Sequence, residues 1–340
     1  MSVTVKSQRE IELMREAGKI LGTVLNELEK ECKPGVTTYH INKIGEEMIK
    51  SYGCIPSFKG YQGYPAAICV SVNDEIVHGI PSKKRVLKEG DIVSLDAGVI
   101  HKGYHSDAAR TYGIGKISDE AAKLIEVTRQ SFFEGIKYAK EGCHLYEISN
   151  AIAQYNESFG YGVIRDLVGH GIGTELHEEP EIPNFRQDRR GIRLYEGMTL
   201  AIEPMVSAGD YKVRWLDDNW TASTFDHSLS AHYENTVLVN TIISRITDNG
   251  GQDLNNYIGY FATSLAGHDK GLTYVITGVD NEYVYVTDGR LRQVDEPKKK
   301  KLKHIQLIKI CDDTIKDKIS RNIKLTNEDI KLAIKKYNNR

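Results

Sequence analysis

Two aspartates, Asp96 and Asp107, stand in strand-like segments that are joined by a short turn. Asp96 interrupts the apolar stretch DIVSLDAGVI (91–100), and aspartate is uncommon in strands. The turn signal falls around His101-Lys102-Gly103, so a hairpin pairs residues whose numbers sum to about 203 to 205. Both carboxylates then lie opposite or nearly opposite on one face, where like charges repel. A divalent cation between them removes the repulsion. The alternative is one aspartate solvated at a strand end.

Two glutamates stand in similar surroundings. Glu203 lies in the apolar run LAIEPMV, and Glu234 precedes the β-branched stretch TVLV. Taken singly, each is more often an edge or partnered carboxylate than a metal ligand. Four acidic side chains embedded in apolar strands, however, are costly to bury without cations.

A histidine occupies a glycine-rich segment. His170 lies in GHGIGTELHEEP, where three glycines within five residues permit close backbone approach, and His177 follows seven residues later. A packed or capping histidine is the ordinary alternative for His170. The spacing differs from HExxH, and the glycines disfavour a helix.

One imidazole nitrogen and four carboxylates form an oxygen-rich ligand set. Such a set suits a pair of Co, Mn, Fe(II) or Zn ions better than a thiolate-bound structural zinc. Two adjacent metal ions can activate a water and polarise a carbonyl, so amide hydrolysis is the expected chemistry.

The elements around these residues predict an α+β fold. Helical patterns cover 7–31, where Ser7 and Glu10 suggest a capping box, and 38–51. Strand patterns follow, and a second pair of helices is predicted at 118–142 and 145–159. The remaining predicted strands of this region are 66–72, 91–100, 103–115, 198–207 and 229–240. Two helix–helix–strand halves predict a pseudo-symmetric domain with a site between them.

Composition is that of an ordinary globular protein of 340 residues. No window has the uninterrupted apolar length of a membrane span, and the first residues lack a signal-peptide pattern. The five cysteines are scattered without a CxxC pair, which is typical of reduced thiols. We therefore expect a cytoplasmic protein without a membrane partner.

At these residues the sequence resembles type I methionine aminopeptidases, which have the pita-bread fold. The resemblance extends over about 1–245. It is carried, in order, by NDEIVHGIP (73–81), SLDAGV (94–99), GYHSDAART (103–111), VGHGIGTELHEEP (168–180), AIEPMV (201–206) and LSAHYENTVLV (229–239). It implies a domain with a central antiparallel sheet and helices over 1–246. It also implies removal of the N-terminal methionine of nascent polypeptides, with a preference for a small second residue, by a monomer.

The resemblance also implies residue roles. Asp107 and Glu234 should bridge two metal ions, His170 and Glu203 should complete one site, and Asp96 should complete the other. Glu203 is additionally the implied general base. His78 and His177 should flank the scissile bond. The implied methionine pocket consists of Tyr61, Tyr64, Cys69, His78 and Trp220; without the resemblance, these aromatic residues are core or interface residues.

Three positions and one segment depart from the family pattern. Asn235 stands where histidine is frequent, so a contact behind the ligands is expected to differ. Leu176 replaces a common aromatic residue, Gln62 a frequent histidine, and the segment 184–191 is unusually charged. None of these changes removes a ligand.

The C-terminal part differs in charge from the rest. Residues 258–340 contain 17 Lys and Arg against 11 Asp and Glu, out of 45 and 47 in the whole chain. The segment from 258 resembles a KOW-type RNA-binding domain through its AGHDKG and DGR turns and a lysine run. We expect a linker at 247–257, a small SH3-like β-barrel at 258–310 and a charged helical tail at 311–340. The expected RNA contacts, with rRNA or the ribosome as partner, are Lys298, Lys299, Lys300, Lys301 and Lys303. The alternative is a stability domain with a solvated lysine face.

Two other functions remain to be distinguished. One is a proline-specific aminopeptidase of the same fold, which cleavage of Xaa-Pro peptides would reveal. The other is a non-catalytic binding protein on a degenerate domain, for which loss of ligands is the usual sign; here all five are present.

Overall fold

The computed structural model describes residues 3–240, 244–245, 258–265, 267–280, 283–301, 304–312, 314–315, 318 and 323–338. The chain divides into two compact units, Met1–Asn249 and Gly250–Arg340, which we treat separately. The predicted linker 247–257 and Lys303 lie outside the described residues.

The first unit begins with two helices, α1 (Gln8–Glu31) and α2 (Thr38–Ser51). The predicted capping box is present. The Ser7 side chain accepts a hydrogen bond from the Glu10 N–H, and the Glu10 carboxylate accepts one from the Ser7 N–H. The apolar stripe of α1 lies buried against the strands, together with Ile41 of α2.

The second helical pair is α3 (Asp119–Ile136) and α4 (Leu145–Glu157). The helix predicted over 118–142 ends earlier in the structure, at Ile136. Residues after Ile136 form turns, because Ala139 is buried in the core and Lys140 forms a bridge with Asn240. Tertiary contacts thus override helix propensity here. No helix in the described part of the chain is long and apolar enough to span a membrane.

Short strands make up the rest of the first unit. In chain order they are β1 (Ile55–Pro56), β2 (Ile68–Val72), β3 (Glu75–Val77), β4 (Ile92–His101), β5 (Tyr104–Gly113), β6 (Gly162–Val163), β7 (Gly169–Gly171), β8 (Glu178–Ile182), β9 (Thr199–Ile202), β10 (Met205–Ser207), β11 (Val213–Trp215), β12 (Ala222–Thr224), β13 (Ser230–His232), β14 (Asn235–Leu238) and β15 (Ser244–Arg245). Two helices followed by strands occur twice, as the element order predicted.

Four antiparallel sheets arise from these strands. The first has β4 paired with β1, β2 and β5. The others have the orders β13-β10-β6, β11-β12-β3 and β15-β14-β9-β7-β8. The β4–β5 hairpin is the longest pairing, and its turn has positive φ at Lys102 and Gly103, as a two-residue hairpin loop requires.

Two segments predicted as continuous strands are each interrupted. The segment 198–207 forms β9 and β10, with Glu203 and Pro204 between them, and 229–240 forms β13 and β14, with Tyr233 and Glu234 between them. At each break the chain passes from the β13-β10-β6 sheet to the β14-β9 pair or back. The Tyr233 N–H donates to the Pro204 carbonyl, so the two breaks lie side by side.

The second unit contains a five-stranded antiparallel sheet of order β19-β18-β17-β16-β20. Its strands are β16 (Tyr260–Ser264), β17 (Thr273–Asp280), β18 (Tyr283–Thr287), β19 (Lys298–Lys301) and β20 (Ile305–Cys311). A helix, α5 (Asn327–Asn338), follows within the region predicted as a helical tail. Ile330 and Ala333 of α5 are buried against Phe261 and Val275, so this helix belongs to the core of the unit.

The four described lysines of the run, Lys298–Lys301, form β19 and alternate in their surroundings. Lys300 is buried, and its ammonium lies 2.9 Å from the Asp269 carboxylate. Lys298 also pairs with the Asp269 carboxylate, at 2.9 Å. The Tyr274 hydroxyl donates a hydrogen bond to the same carboxylate. Despite the cost of burial, these hydrogen bonds hold the pKa of Asp269 below its usual range.

We predict that Asp269→Asn loosens the second unit at neutral pH, because it removes the carboxylate that pairs with the buried Lys300. Amide hydrogen exchange over 260–301, corrected for intrinsic rates, should accelerate about tenfold or more. The lowered pKa means that the native contribution of Asp269 is present above the pKa of an unfolded aspartate and is lost as pH falls below about 4. The variant should therefore lack that acid dependence. Asp295→Asn, at an exposed ion pair with Lys324, is the matched control; equal exchange in both variants would contradict the prediction.

Candidate metal centre

The five predicted ligands line one cleft in the first unit, with a volume of about 480 Å³ when its opening to solvent is included. Each is nearly buried, with at most 9% of its surface exposed. They are Asp96, Asp107, His170, Glu203 and Glu234. The ligand atoms of Asp107, His170 and Glu234 all lie within 4.8 Å of one another.

The two aspartates project from the β4–β5 hairpin. The register pairs Asp96 with Ala109 and Gly98 with Asp107, so the two carboxylates are diagonal neighbours on one face, not directly opposite. Diagonal neighbours on a sheet remain within reach of each other. The Asp107 N–H donates to the Thr236 hydroxyl at 2.9 Å, which fastens the hairpin to β14.

His170 is central in β7, between two glycines. A Cβ atom at Gly169 would lie 2.4 Å from the Ala201 carbonyl oxygen, and one at Gly171 would lie 2.1 Å from that of Glu179. Glycine is therefore required for β7 to pack between β9 and β8. The Nδ1 atom of His170 lies 2.8 Å from the Gly171 carbonyl oxygen, which can only accept, so Nδ1 carries the proton and Nε2 is available as a ligand.

Glu203 and Glu234 lie at the two strand breaks. The Nε2 atom of His170 is 3.7 Å from Glu203 Oε1. Behind Glu234, the Arg110 guanidinium donates to the Glu234 carbonyl at 2.5 Å and to Asn235 Oδ1 at 2.7 Å. Asn235 is one of the departures from the family pattern. Its side chain accepts a hydrogen bond from Arg110 and is not among the side chains that line the cleft.

Burial dominates the electrostatics of these groups. It raises the pKa of Asp107, Glu203 and Glu234 well above the usual range, and repulsion among the carboxylates adds to the effect. The pKa of Asp96 is raised by burial as well. For His170, burial and then the neighbouring His177 lower the pKa to about 3, so its imidazole is neutral. Unaided, the site cannot hold four negative charges.

The unpaired atoms fit divalent cations. Within the described residues, Asp96 Oδ1, Asp107 Oδ1 and Glu234 Oε1 are buried without a hydrogen-bond partner. Buried polar atoms are normally satisfied, and a cation would satisfy all three while keeping the carboxylates ionised. The donor set of carboxylate oxygens and one neutral imidazole is suited to divalent first-row metals.

Beside this cluster stand the residues predicted to contact substrate. His177 Nδ1 lies 2.8 Å from the Tyr61 hydroxyl, and its ring centroid is 4.2 Å from that of His170. His78 has a positive φ and packs edge-on against Trp220. On the same side, Trp220 packs against Tyr64, whose hydroxyl donates to the Gly79 carbonyl.

Cys69 lies on β2 directly opposite Asp96 and also lines the cleft. Burial raises the pKa of its thiol well above the usual range. The thiol therefore stays protonated, lines the cleft as a neutral side chain and does not act as a nucleophile.

Two histidines of this region were missed by the sequence reasoning. His232 Nε2 lies 3.6 Å from Glu203 Oε2, and His105 Nδ1 lies 3.0 Å from the Ser57 hydroxyl. Both are buried, and burial lowers the pKa of His232 to about 3 and of His105 to about 4. Each precedes a predicted ligand by two positions, so strand alternation could have revealed them. The lining residues Phe58 and Val77 were also missed, without any sequence signal.

Comparison with known proteins identifies the family. The model of "Metallopeptidase family M24" matches residues 12–241. The chain belongs to metallopeptidase family M24. It is 58% identical over 237 residues to the methionine aminopeptidase of Clostridium acetobutylicum. This match covers 70% of this chain and 95% of the relative. It is 50% identical to methionine aminopeptidase 1 of Bacillus subtilis, with the same coverage.

A crystal structure of methionine aminopeptidase from Thermotoga maritima superposes with a TM-score of 0.71 at 45% identity, covering 73% of this chain and all of that one. The first unit thus has the pita-bread fold of family M24. M24 enzymes of this type use divalent metal ions, in agreement with the unpaired carboxylates of the cleft.

We predict that Gly171→Ala weakens metal binding, because the new methyl group must push β8 away from β7 and move His170. Metal affinity, measured by equilibrium dialysis, should fall about tenfold or more. Gly278→Ala in the second unit is the matched control, since the nearest atom to its Cβ would lie at an ordinary 3.4 Å. Unchanged affinity in a folded Gly171→Ala variant would show that the close packing of β7 does not position the ligand.

Proposed function

We propose that the chain is a methionyl aminopeptidase that removes the N-terminal methionine of nascent proteins with a small second residue. The observation that carries the proposal is the shared cleft. The five ligands line the same cavity as Tyr61, Tyr64, Cys69 and Trp220. An apolar, sulfur- and aromatic-lined wall suits a thioether side chain, since methionine sulfur packs well against aromatic rings.

Two divalent ions are proposed to be held by the five ligands, with Asp107 and Glu234 shared, His170 and Glu203 on one ion and Asp96 on the other. When bound, they would supply a water acidic enough to attack and would polarise the scissile carbonyl. The proximity of Asp107, His170 and Glu234 ligand atoms supports this assignment.

Glu203 is the proposed general base. Its Oε1 faces His170 and its Oε2 faces His232 at 3.6 Å, so the carboxylate is held between two neutral imidazoles. Its carboxylate is buried in the cleft beside the other ligands, within reach of a water held there, which is the geometry that a general base requires. Glu203 would take a proton from the attacking water and deliver it to the leaving amine.

His177 and His78 are proposed to orient the scissile amide. Burial lowers the pKa of both, to about 4 for His78, so each acts as a neutral imidazole. Nδ1 of His177 lies 2.8 Å from the Tyr61 hydroxyl. We assign the hydroxyl as the donor in this pair, so that the Nε2–H of His177 would donate to the oxygen that becomes negative during attack. The histidine pair would therefore stabilise charge without competing with the cations.

We predict that chelation abolishes release of methionine from Met-Ala-Ser, and that back-titration with Co, Mn, Fe(II) or Zn restores it. Asp96→Asn should lose bound metal together with activity. His177→Ala should keep its metal but lower kcat about 10²- to 10³-fold, as expected for loss of one charge-stabilising donor. Full activity of the chelated protein would refute the metal mechanism, and release of Xaa from Xaa-Pro peptides would favour the proline-specific alternative.

We further propose that the second unit binds rRNA or ribosomes and so holds the enzyme near nascent chains. The support is a mixed aromatic and basic face on β18 and β19. The Lys299 ammonium lies 4.3 Å from the ring centroid of Tyr283 and 5.6 Å from that of Tyr285, and Lys301 lies 5.8 Å from Tyr283. Tyrosine rings with interleaved lysines suit stacked bases and phosphates. Lys298 and Lys300 bind Asp269. Among the described residues, we therefore assign the proposed contacts to Lys299 and Lys301, beside Lys303, which lies outside the described residues.

We predict that Lys299→Gln/Lys301→Gln in the full chain reduces salt-sensitive cosedimentation with ribosomes while Met-Ala-Ser turnover is retained. Two phosphate contacts fewer should flatten the dependence of log affinity on log salt by nearly two units. Lys324→Gln/Lys335→Gln, at exposed positions of the same unit, removes the same charge and should have little effect. If wild-type protein does not cosediment at low salt, the second unit is a structural appendage.

A further inference from the structure

A second cavity adjoins the metal cleft. It has a volume of about 640 Å³, open to solvent, and shares His170 and His177 with the cleft. Its other lining residues come from the beginning of β7 and from β8; they are Val168, Gly169, Glu178, Glu179 and Glu181. We refer to this cavity as the β8 groove. Because it opens beside the two histidines, a chain that leaves the cleft past them enters it.

The sheet register directs acidic side chains into this groove. His170 of β7 is paired directly with Glu181 of β8, and directly paired residues project on the same face. Along β8, Pro180 and Ile182 are buried, whereas Glu179 and Glu181 are exposed. The two glutamates of β8 and His170 of β7 therefore project from the same face of the sheet.

The charges of the groove differ in how they are compensated. The charge of Glu178 is compensated, because its carboxylate lies 2.5 Å from the Lys6 ammonium and accepts a hydrogen bond from the Thr4 hydroxyl. No ion pair joins Glu179 or Glu181 to a basic side chain within the described residues, whereas Lys6 already has its partner. Two negative charges therefore face the open groove.

The backbone of β8 offers a second recognition element. β8 is the outer strand of its sheet and, in the described chain, pairs only with β7. An unpaired strand edge can accept an extended peptide by main-chain hydrogen bonds. A main-chain edge with acidic side chains beside it is suited to an extended, basic polypeptide.

We propose that the β8 groove is the subsite for the residues that follow the second position of the substrate, and that it selects basic side chains there. The inference rests on the proposed function, since it assigns the path of the substrate beyond the cleaved bond. The third to fifth residues lie along β8, and a lysine or arginine among them meets Glu179 and Glu181. Acidic residues at the same positions are repelled, so Glu179 and Glu181 set substrate preference without taking part in bond cleavage.

The test compares kcat/KM for Met-Ala-Xaa-Gly-Ser peptides in which Xaa is Lys, Gln or Glu, with the same exchange moved to positions 4 and 5. We expect Lys to exceed Glu about tenfold at one or more positions at low ionic strength, falling to about twofold in 0.5 M salt, since exposed charges are screened. The doubly substituted enzyme Glu179→Gln/Glu181→Gln should lose most of this ratio. Glu181→Lys should reverse it.

The dipeptide Met-Ala, which has no third residue, separates the two proposals. Wild-type turnover of Met-Ala with equal rates for the Lys and Glu peptides at all three positions would overturn the β8 groove but leave the proposed function intact. Absence of methionine release from every peptide by the metal-loaded enzyme would overturn both proposals.

Glu120→Gln/Glu141→Gln is the matched control, because it removes two exposed charges that do not line the groove. A similar loss of the Lys-to-Glu ratio in this variant would assign the preference to net charge and contradict the proposal. A wild-type ratio that is insensitive to salt would equally contradict the proposal, whether or not the variants fold.

Discussion

Four carboxylates buried in one cleft repel one another, and much of the first unit can be understood as the framework that keeps them together. Each comes from a strand or a strand end, where the backbone is held by a ladder of hydrogen bonds. The β4–β5 hairpin supplies two of them. The Thr236 hydroxyl accepts from the Asp107 N–H, and Ala109 and Glu234 exchange backbone hydrogen bonds, so β5 is attached to β14 and to the break before it, which supplies a third. Divalent cations convert this repulsion into binding, so the stability of the site and its metal occupancy are coupled.

The same burial keeps the histidines of the site neutral. His78, His170 and His232 all have pKa values lowered chiefly by burial, which means that none of them neutralises the carboxylates by taking up a proton at physiological pH. Positive charge must therefore come from the cations. Neutral imidazoles are in turn free to act as a ligand, a hydrogen-bond donor or a spacer beside Glu203.

The part of the site that depends on local pattern could be predicted from the sequence. The hairpin turn at Lys102-Gly103 is a short-range signal, and it gives the shared face of Asp96 and Asp107. Glu203 and Glu234 could not be placed in this way, because their segments are strand-like throughout and the breaks arise from passage between sheets. In the same way, the early end of α3 depends on a bridge to Asn240 that is distant in sequence.

The short strand β7 links the two halves of this architecture. Its two glycines admit β9 on one side, which brings His170 to Glu203, and β8 on the other, which brings Glu179 and Glu181 to the mouth of the cleft. A side chain at Gly169 would press mainly on β9 and one at Gly171 on β8, and His170 between them would move in both cases. The position of the metal ligand and the position of the acidic strand edge are thus fixed by the same three residues, Gly169, His170 and Gly171. If the proposed roles hold, metal geometry and substrate preference beyond the second residue would not vary independently, because a shift of β7 would move both His170 and its pairing with β8.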